Sequence, residues 1–134
     1  MANPERIEGV PAARRVGIVG AGQLARMLCE AASAMGVDTV VLAEHHDDAA
    51  VRVAGDVIIG SPRDPVALAS LVDACDVVTF DHELVDLGAL RDLQARGHTV
   101  RPGPDALEVA VDKAVQRRRF SDLGIPVPRF VVLD

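Results

Sequence analysis

Two short clusters in this chain hold residue types that can do chemistry. The first is Gly20-Ala21-Gly22-Gln23-Leu24-Ala25-Arg26-Met27, directly after the apolar run Val16 to Val19. An apolar strand, a turn of small residues and a helix start let a backbone approach a phosphate closely, because few Cβ atoms stand in the way. The amides at the helix start then point at the anion, and the helix dipole favours negative charge there. A phosphorylated small molecule is the expected ligand. Gln23 adds an amide that can grip a phosphate or a sugar hydroxyl. Arg26 either adds a cation or simply points to solvent. The second cluster, Thr79-Phe80-Asp81-His82-Glu83, gives an apolar strand an acidic tip. Alternate residues of a strand share a face. Asp81 and Glu83 are therefore expected to point the same way if the extended geometry persists, with His82 facing away. Such a carboxylate pair can hold an amine or the hydroxyls of a ribose. The plainer alternative is a solvated loop that caps the next helix through Asp86.

Gly20 to Ala25 also fits the G-x-G-x-x-A dinucleotide fingerprint, and Glu44 follows the second predicted strand, where a ribose-binding carboxylate sits in such folds. An NAD-type dinucleotide-binding module is the alternative reading. It predicts that Glu44→Ala abolishes dinucleotide binding. Gln23 weighs against it, because no dinucleotide site requires that amide. A non-catalytic interaction domain that kept the fold without the ligand is a third reading. His45-His46-Asp47-Asp48 reads as a solvated loop, since adjacent histidines rarely converge on one metal ion. Arg117-Arg118-Arg119 fan around a predicted helix and read as a solvated face.

Composition narrows the field. The chain has 134 residues, enough for one domain, and 49% of them are hydrophobic. With 3 Phe, no Trp and no Tyr, the core must be aliphatic, and the stacking platforms used on single-stranded nucleic acid are missing. A net charge of −6 disfavours general binding to nucleic acid or to a membrane surface. No apolar run reaches the roughly 20 residues of a membrane span. Residues 1–14 lack the apolar stretch of a signal peptide. Cys29 and Cys75 read as buried thiols in a reducing compartment. The protein is expected in the cytoplasm.

The elements that must position the two clusters alternate along the chain. Strands are expected at 15–19, 39–42, 56–59, 75–80 and 99–100. Helices are expected at 23–35 (Leu24, Met27, Leu28 and Ala31 on one face), 47–54, 65–72 and 86–96. That alternation predicts an α/β fold, a doubly wound parallel sheet of about five strands with helices on both faces. Ligands of such sheets bind outside the carboxyl ends of the strands, where both clusters fall. After Pro102 the pattern changes to two short helices, 105–111 and 113–123. Ile125-Pro126-Val127-Pro128 follows as a stiff extended linker. An apolar strand is expected from Arg129 to Asp134, as the start of a truncated second domain.

Taken together, these residues resemble the N5-carboxyaminoimidazole ribonucleotide synthetase family of ATP-grasp ligases. Gly20 to Met27 is similar to the family's G-G-G-Q-L-G-R-M loop, and Thr79 to Glu83 to its T-Y/F-E-x-E strand end. Arg101-Pro102-Gly103-Pro104 with Asp112-Lys113, and Leu123 to Pro128, are similar to its later elements. The resemblance covers Arg15 to Asp134. Residues 1–14, with Pro4, Pro11 and scattered charges, are expected as a flexible leader, and the resemblance implies a Rossmann-like pre-ATP-grasp domain over 15–103. It further implies a helical linker over 104–128 and the start of an ATP-grasp domain over 129–134. It implies that Gly20, Gly22, Gln23 and Leu24 line the pocket for 5-aminoimidazole ribonucleotide. Glu83, with Asp81, would contact that substrate's ribose or amine side, and Lys113 would reach ATP. Ala25 and Asp81 depart from the family's glycine and glutamate. The implied reaction uses Mg-ATP and bicarbonate to form carboxyphosphate, and then carboxylates the exocyclic amine of the ribonucleotide. A homodimer is also implied. The catalytic and Mg²⁺-binding machinery would lie beyond Asp134, so these 134 residues are expected not to turn over alone.

Overall fold

The structure, a computed structural model, describes residues 14–132. Four runs rich in aliphatic residues form one sheet: Arg15–Val19 (β1), Asp38–Ala43 (β2), Asp56–Ile59 (β3) and Val77–Phe80 (β4). The strand order is β3-β2-β1-β4, and every neighbouring pair is parallel. Five helices accompany it: Gln23–Ala34 (α1), Pro65–Asp73 (α2), Leu87–Ala95 (α3), Pro104–Val111 (α4) and Lys113–Asp122 (α5). None of them is long and apolar enough to cross a membrane.

Strand periodicity divides the core into two layers. Val19, Val40, Leu42 and Val78 face one way, against Leu68 and Leu71 of α2, Leu90 and Leu93 of α3 and Leu107 of α4. Ile18, Val41 and Ala43 face the other way, against Ala25 and Cys29 of α1. Adjacent residues of one strand thus serve opposite layers, which is why β1 and β2 read as continuous apolar runs. Helices cover both faces, as the alternation predicts. Aspartates start three of the helices. Asp64 accepts from the Val66 amide at 2.9 Å, and Asp86 from the Ala89 amide at 2.9 Å. Asp112 accepts from the Ala114 and Val115 amides at 2.8 and 3.0 Å. Each such cap contributes about 1 kcal/mol.

Several expectations need correction. The fifth strand at Thr99-Val100 is a single bridge from Val100 to Val78. The Val78 amide donates to the Thr99 carbonyl and the Arg101 amide to the Val78 carbonyl. Pro102 has no N–H with which to continue the ladder. Residues 47–54 form successive turns instead of a helix, closed by Val51 N–H to Asp48 O and Val53 N–H to Ala50 O. Too few consecutive residues form helical bonds there to offset the cost of nucleation. Residues 129–132 form no strand, and none of the described strands pairs with them; 133–134 and most of the expected leader, 1–13, lie outside the described residues. On α1 the buried stripe is Ala25, Cys29 and Ala32, whereas Leu24, Met27 and Leu28 are exposed. The small side chains are the ones that let the helix lie close to the sheet.

Close approach also explains Gly17 in the middle of β1. A Cβ there would stand 2.9 Å from Val78 Cγ2, and 3.1 Å from both Leu71 Cγ and Cys75 Sγ. Gly17→Ala therefore overpacks the contact of α2 with the sheet. It is expected to destabilise the fold by about 1–3 kcal/mol, read as a lower urea midpoint. Burial pushes the neighbouring Cys75 thiol from 9.0 up to about 11; Arg15 opposes the shift, while Asp76 and Asp56 add to it. Between those two values the unfolded chain loses the thiol proton and the folded chain keeps it. Stability tied to Cys75 is thus complete below pH 9.0 and falls as pH rises towards about 11. Urea melts across that window are expected to show the decline, and Cys75→Ala should flatten it.

Candidate functional site

Strand order brings the two sequence clusters together. β4 lies beside β1, with Val19 opposite Phe80. The glycine turn after β1 and the acidic tip after β4 therefore begin side by side. The backbone extends this pairing one step past both strands. The Asp81 amide donates to the Val19 carbonyl at 3.1 Å, and the Gly20 amide to the Leu42 carbonyl at 3.0 Å. From β1 the chain passes through α1 to β2 over one face, and it returns to β4 through α2 on the other. The crevice between β1 and β4 is thus the switch point, where open α/β sheets take their ligands.

The turn itself is shaped around one carboxylate. Gly20 has φ +106°, a conformation that other residues adopt only under strain. A methyl group at Gly20 would also collide with Oδ1 of Asp81. The Asp81 side chain is only 5% exposed, and its Oδ2 accepts a hydrogen bond from the Gly22 amide at 3.0 Å. Its Oδ1 is buried and has no hydrogen-bond partner among the described residues. The Ala50 amide braces the turn from the far side, donating to the Ala21 carbonyl at 2.9 Å.

This geometry changes two readings. The expectation that Asp81 and Glu83 point the same way required extended chain beyond Phe80, but β4 ends there. Asp81 turns inward to the glycine turn, and Glu83 is exposed. The Gly22 amide, expected to face a phosphate, is already occupied by a carboxylate. A pyrophosphate at this turn would meet that negative charge at close range, where like charges repel strongly. Past Gly22, no side chain caps α1. Gln23 and Leu24 are exposed at its first turn, with Leu24 61% exposed. Arg26 is spent on the helix surface, with Nε 2.9 Å from Glu30 Oε1. It is the solvated member of the two alternatives.

Gly20, Gly22 and Asp81 are in direct contact, and Gln23, Leu24 and Glu83 lie at the same two strand ends. Lys113 is not part of that group. It opens α5, and its Nζ donates to Ala110 O and Gln116 Oε1, both at 3.4 Å, on α4 and α5. A cavity of 270 Å³ lies along the carboxyl edge, lined by Glu44, Ser61, Pro62, Arg63, His82 and Leu84. Ser61 and Arg63 went unnoticed in the sequence; their position just after β3 was the available signal. His82 does not face away. Its Nδ1 accepts from the Leu84 amide at 3.2 Å, and its Nε2 lies 3.6 Å from Asp81 Oδ1. His45 and His46 are exposed, and Asp48 accepts from the Glu44 and His45 amides instead of serving a metal. Among the described residues no group of three or more His, Cys, Asp or Glu is placed to hold a metal ion.

Comparison with known proteins places the chain in a family. Residues 13–111 match the ribonucleotide synthetase preATP-grasp domain. The N5-carboxyaminoimidazole ribonucleotide synthase of Mycobacterium leprae is 46% identical over 134 residues, covering 100% of this chain and 30% of the relative. That of Synechococcus elongatus is 41% identical over 120 residues, covering 90% of this chain and 30% of the relative. The crystal structure of the Thermotoga maritima synthetase superposes with a TM-score of 0.83 at 35% identity, over 87% of this chain and 32% of that one. The Aspergillus clavatus synthase, in complex with ADP and 5-aminoimidazole ribonucleotide, superposes with a TM-score of 0.81 at 32% identity, over 87% of this chain and 31% of that one. The chain thus spans about a third of the length of these relatives. Its parallel α/β fold is shared with these synthetases, and the chain belongs to the ribonucleotide synthetase preATP-grasp family.

Proposed function

We propose that this chain is the amino-terminal, ribonucleotide-binding part of an ATP-dependent ligase that carboxylates 5-aminoimidazole ribonucleotide with bicarbonate. The observation that carries the reading is the Asp81 carboxylate on the Gly22 amide. It sets a negative charge just beneath the turn, which suits the amine-bearing side of the ribonucleotide better than a phosphate. Glu83, exposed at the same strand end, supplies an acceptor for that amine or for the ribose hydroxyls. Gln23 and the open first-turn amides of α1 supply donors opposite them. Gly20 and Gly22 keep the turn narrow, and Leu24 gives the ligand an apolar contact. The Aspergillus clavatus relative, whose complex holds ADP and 5-aminoimidazole ribonucleotide, supports the same ligand here.

ATP is the partner proposed for Lys113, a cation at the start of α5 whose own bonds, at 3.4 Å, are long enough to be exchanged for a phosphate oxygen. Mg²⁺ bound with ATP would offset phosphate charge. Among the described residues no cluster of three or more His, Cys, Asp or Glu is placed to hold it. Bicarbonate as co-substrate, the cytoplasm as location and a homodimer as assembly rest on the family resemblance. The dinucleotide reading is not favoured, because its pyrophosphate would have to displace Asp81.

Calorimetric titration of the 134-residue chain tests this reading. The ribonucleotide is expected to bind and NAD is not. Gln23→Ala and Glu83→Gln should each weaken the ribonucleotide about tenfold, as expected for the loss of one hydrogen bond to a polar ligand. Binding of NAD in place of the ribonucleotide contradicts the reading. In a coupled assay, the same chain is expected to show no bicarbonate-dependent ATP hydrolysis. Measurable turnover would refute the assignment of catalysis to residues outside it.

A further inference from the structure

Asp81 presents an unsolved problem of its own. Its carboxylate is buried, one oxygen is satisfied by the Gly22 amide, and the other has no hydrogen-bond partner among the described residues. A buried oxygen left unpaired is costly, and more so when it carries charge. A side-chain donor stands close to it on His82. Because Nδ1 of that ring accepts a hydrogen bond from the Leu84 amide, it carries no hydrogen, and the proton of the neutral ring must sit on Nε2. Nε2 is the atom that faces Oδ1, at 3.6 Å. That separation is just beyond hydrogen-bond length.

We propose that His82 is a positioning residue for the glycine turn. Its Nε2–H holds the inner oxygen of Asp81, which keeps the outer oxygen on the Gly22 amide and so fixes the shape of the ligand site. The connection runs in one line, from the Leu84 amide through the imidazole and the carboxylate to the Gly22 amide. Its consequence for ligand affinity rests on the ribonucleotide reading above; its consequence for the turn does not. His82 also lines the 270 Å³ cavity, so its ring is the element shared by that cavity and the turn.

Nitrogen-15 NMR of the 134-residue chain reads the ring and the Gly22 amide directly. The expected result is the Nε2–H tautomer at His82. In His82→Leu the Gly22 amide resonance should move and ribonucleotide affinity should fall about tenfold. His82→Gln, whose amide nitrogen is a donor of similar reach, should restore most of both. An Nδ1–H tautomer, an unmoved Gly22 amide in the Leu variant, or equal losses in the Leu and Gln variants would each overturn the proposal. If the wild-type chain ignores the ribonucleotide while the Gly22 amide still responds to His82, the positioning role stands and the ligand reading falls.

Discussion

The hydrogen bond from the Gly22 amide to Asp81 ties the ends of β1 and β4 together, and the shape of the site follows from it. It requires β4 to neighbour β1, which in turn requires the β3-β2-β1-β4 order. That order is held by the two aliphatic layers on either face of the sheet. The bond also requires a bare Gly20, because any side chain there would occupy the volume of the carboxylate. The glycines of this turn thus make room for a group of the protein itself. In the usual dinucleotide fold the same absence of side chains makes room for a ligand phosphate. A loop of one sequence pattern can serve either purpose, and the residue at the end of the neighbouring strand decides which.

Much of the fold could be read from the chain because it depends on local pattern. Alternating strand and helix segments place most elements within a residue or two of their observed bounds. The failures have physical causes. On α1 the large apolar residues Leu24, Met27 and Leu28 suggested a buried face, yet Ala25, Cys29 and Ala32 are buried. Helix–sheet distance selected the small residues, and that distance is a tertiary quantity that hydropathy does not encode. Thr99-Val100 has strand chemistry but only one bridge, since Pro102 cannot extend a ladder. Residues 47–54 have helix-like composition and form turns that brace the glycine loop through Ala50.

The site was legible in part for the same reason. Residue type and position at strand ends single out Gly20, Gly22, Gln23, Asp81 and Glu83 as candidates. Their mutual arrangement is not legible there, because it depends on where the backbone leaves β4. One residue past Phe80 the extended geometry ends, and Asp81 turns inward while Glu83 stays in solvent. The same periodicity turns His82 away from the carboxylates, whereas its Nε2 lies 3.6 Å from the buried Asp81 oxygen. Ser61 and Arg63 belong to no motif, and only the assembled sheet edge brings them to the cavity beside Glu44.

The central claim is that a carboxylate of the protein occupies the turn that would otherwise take a phosphate. Pyrophosphate titration, followed at the Gly22 amide by NMR, addresses it directly in the wild-type chain and in Asp81→Ala. The account predicts no response of that amide in the wild-type chain and a saturable shift in the variant, where the turn has lost its carboxylate. A saturable shift of the wild-type Gly22 amide would contradict it, and would return this turn to the phosphate-binding loops.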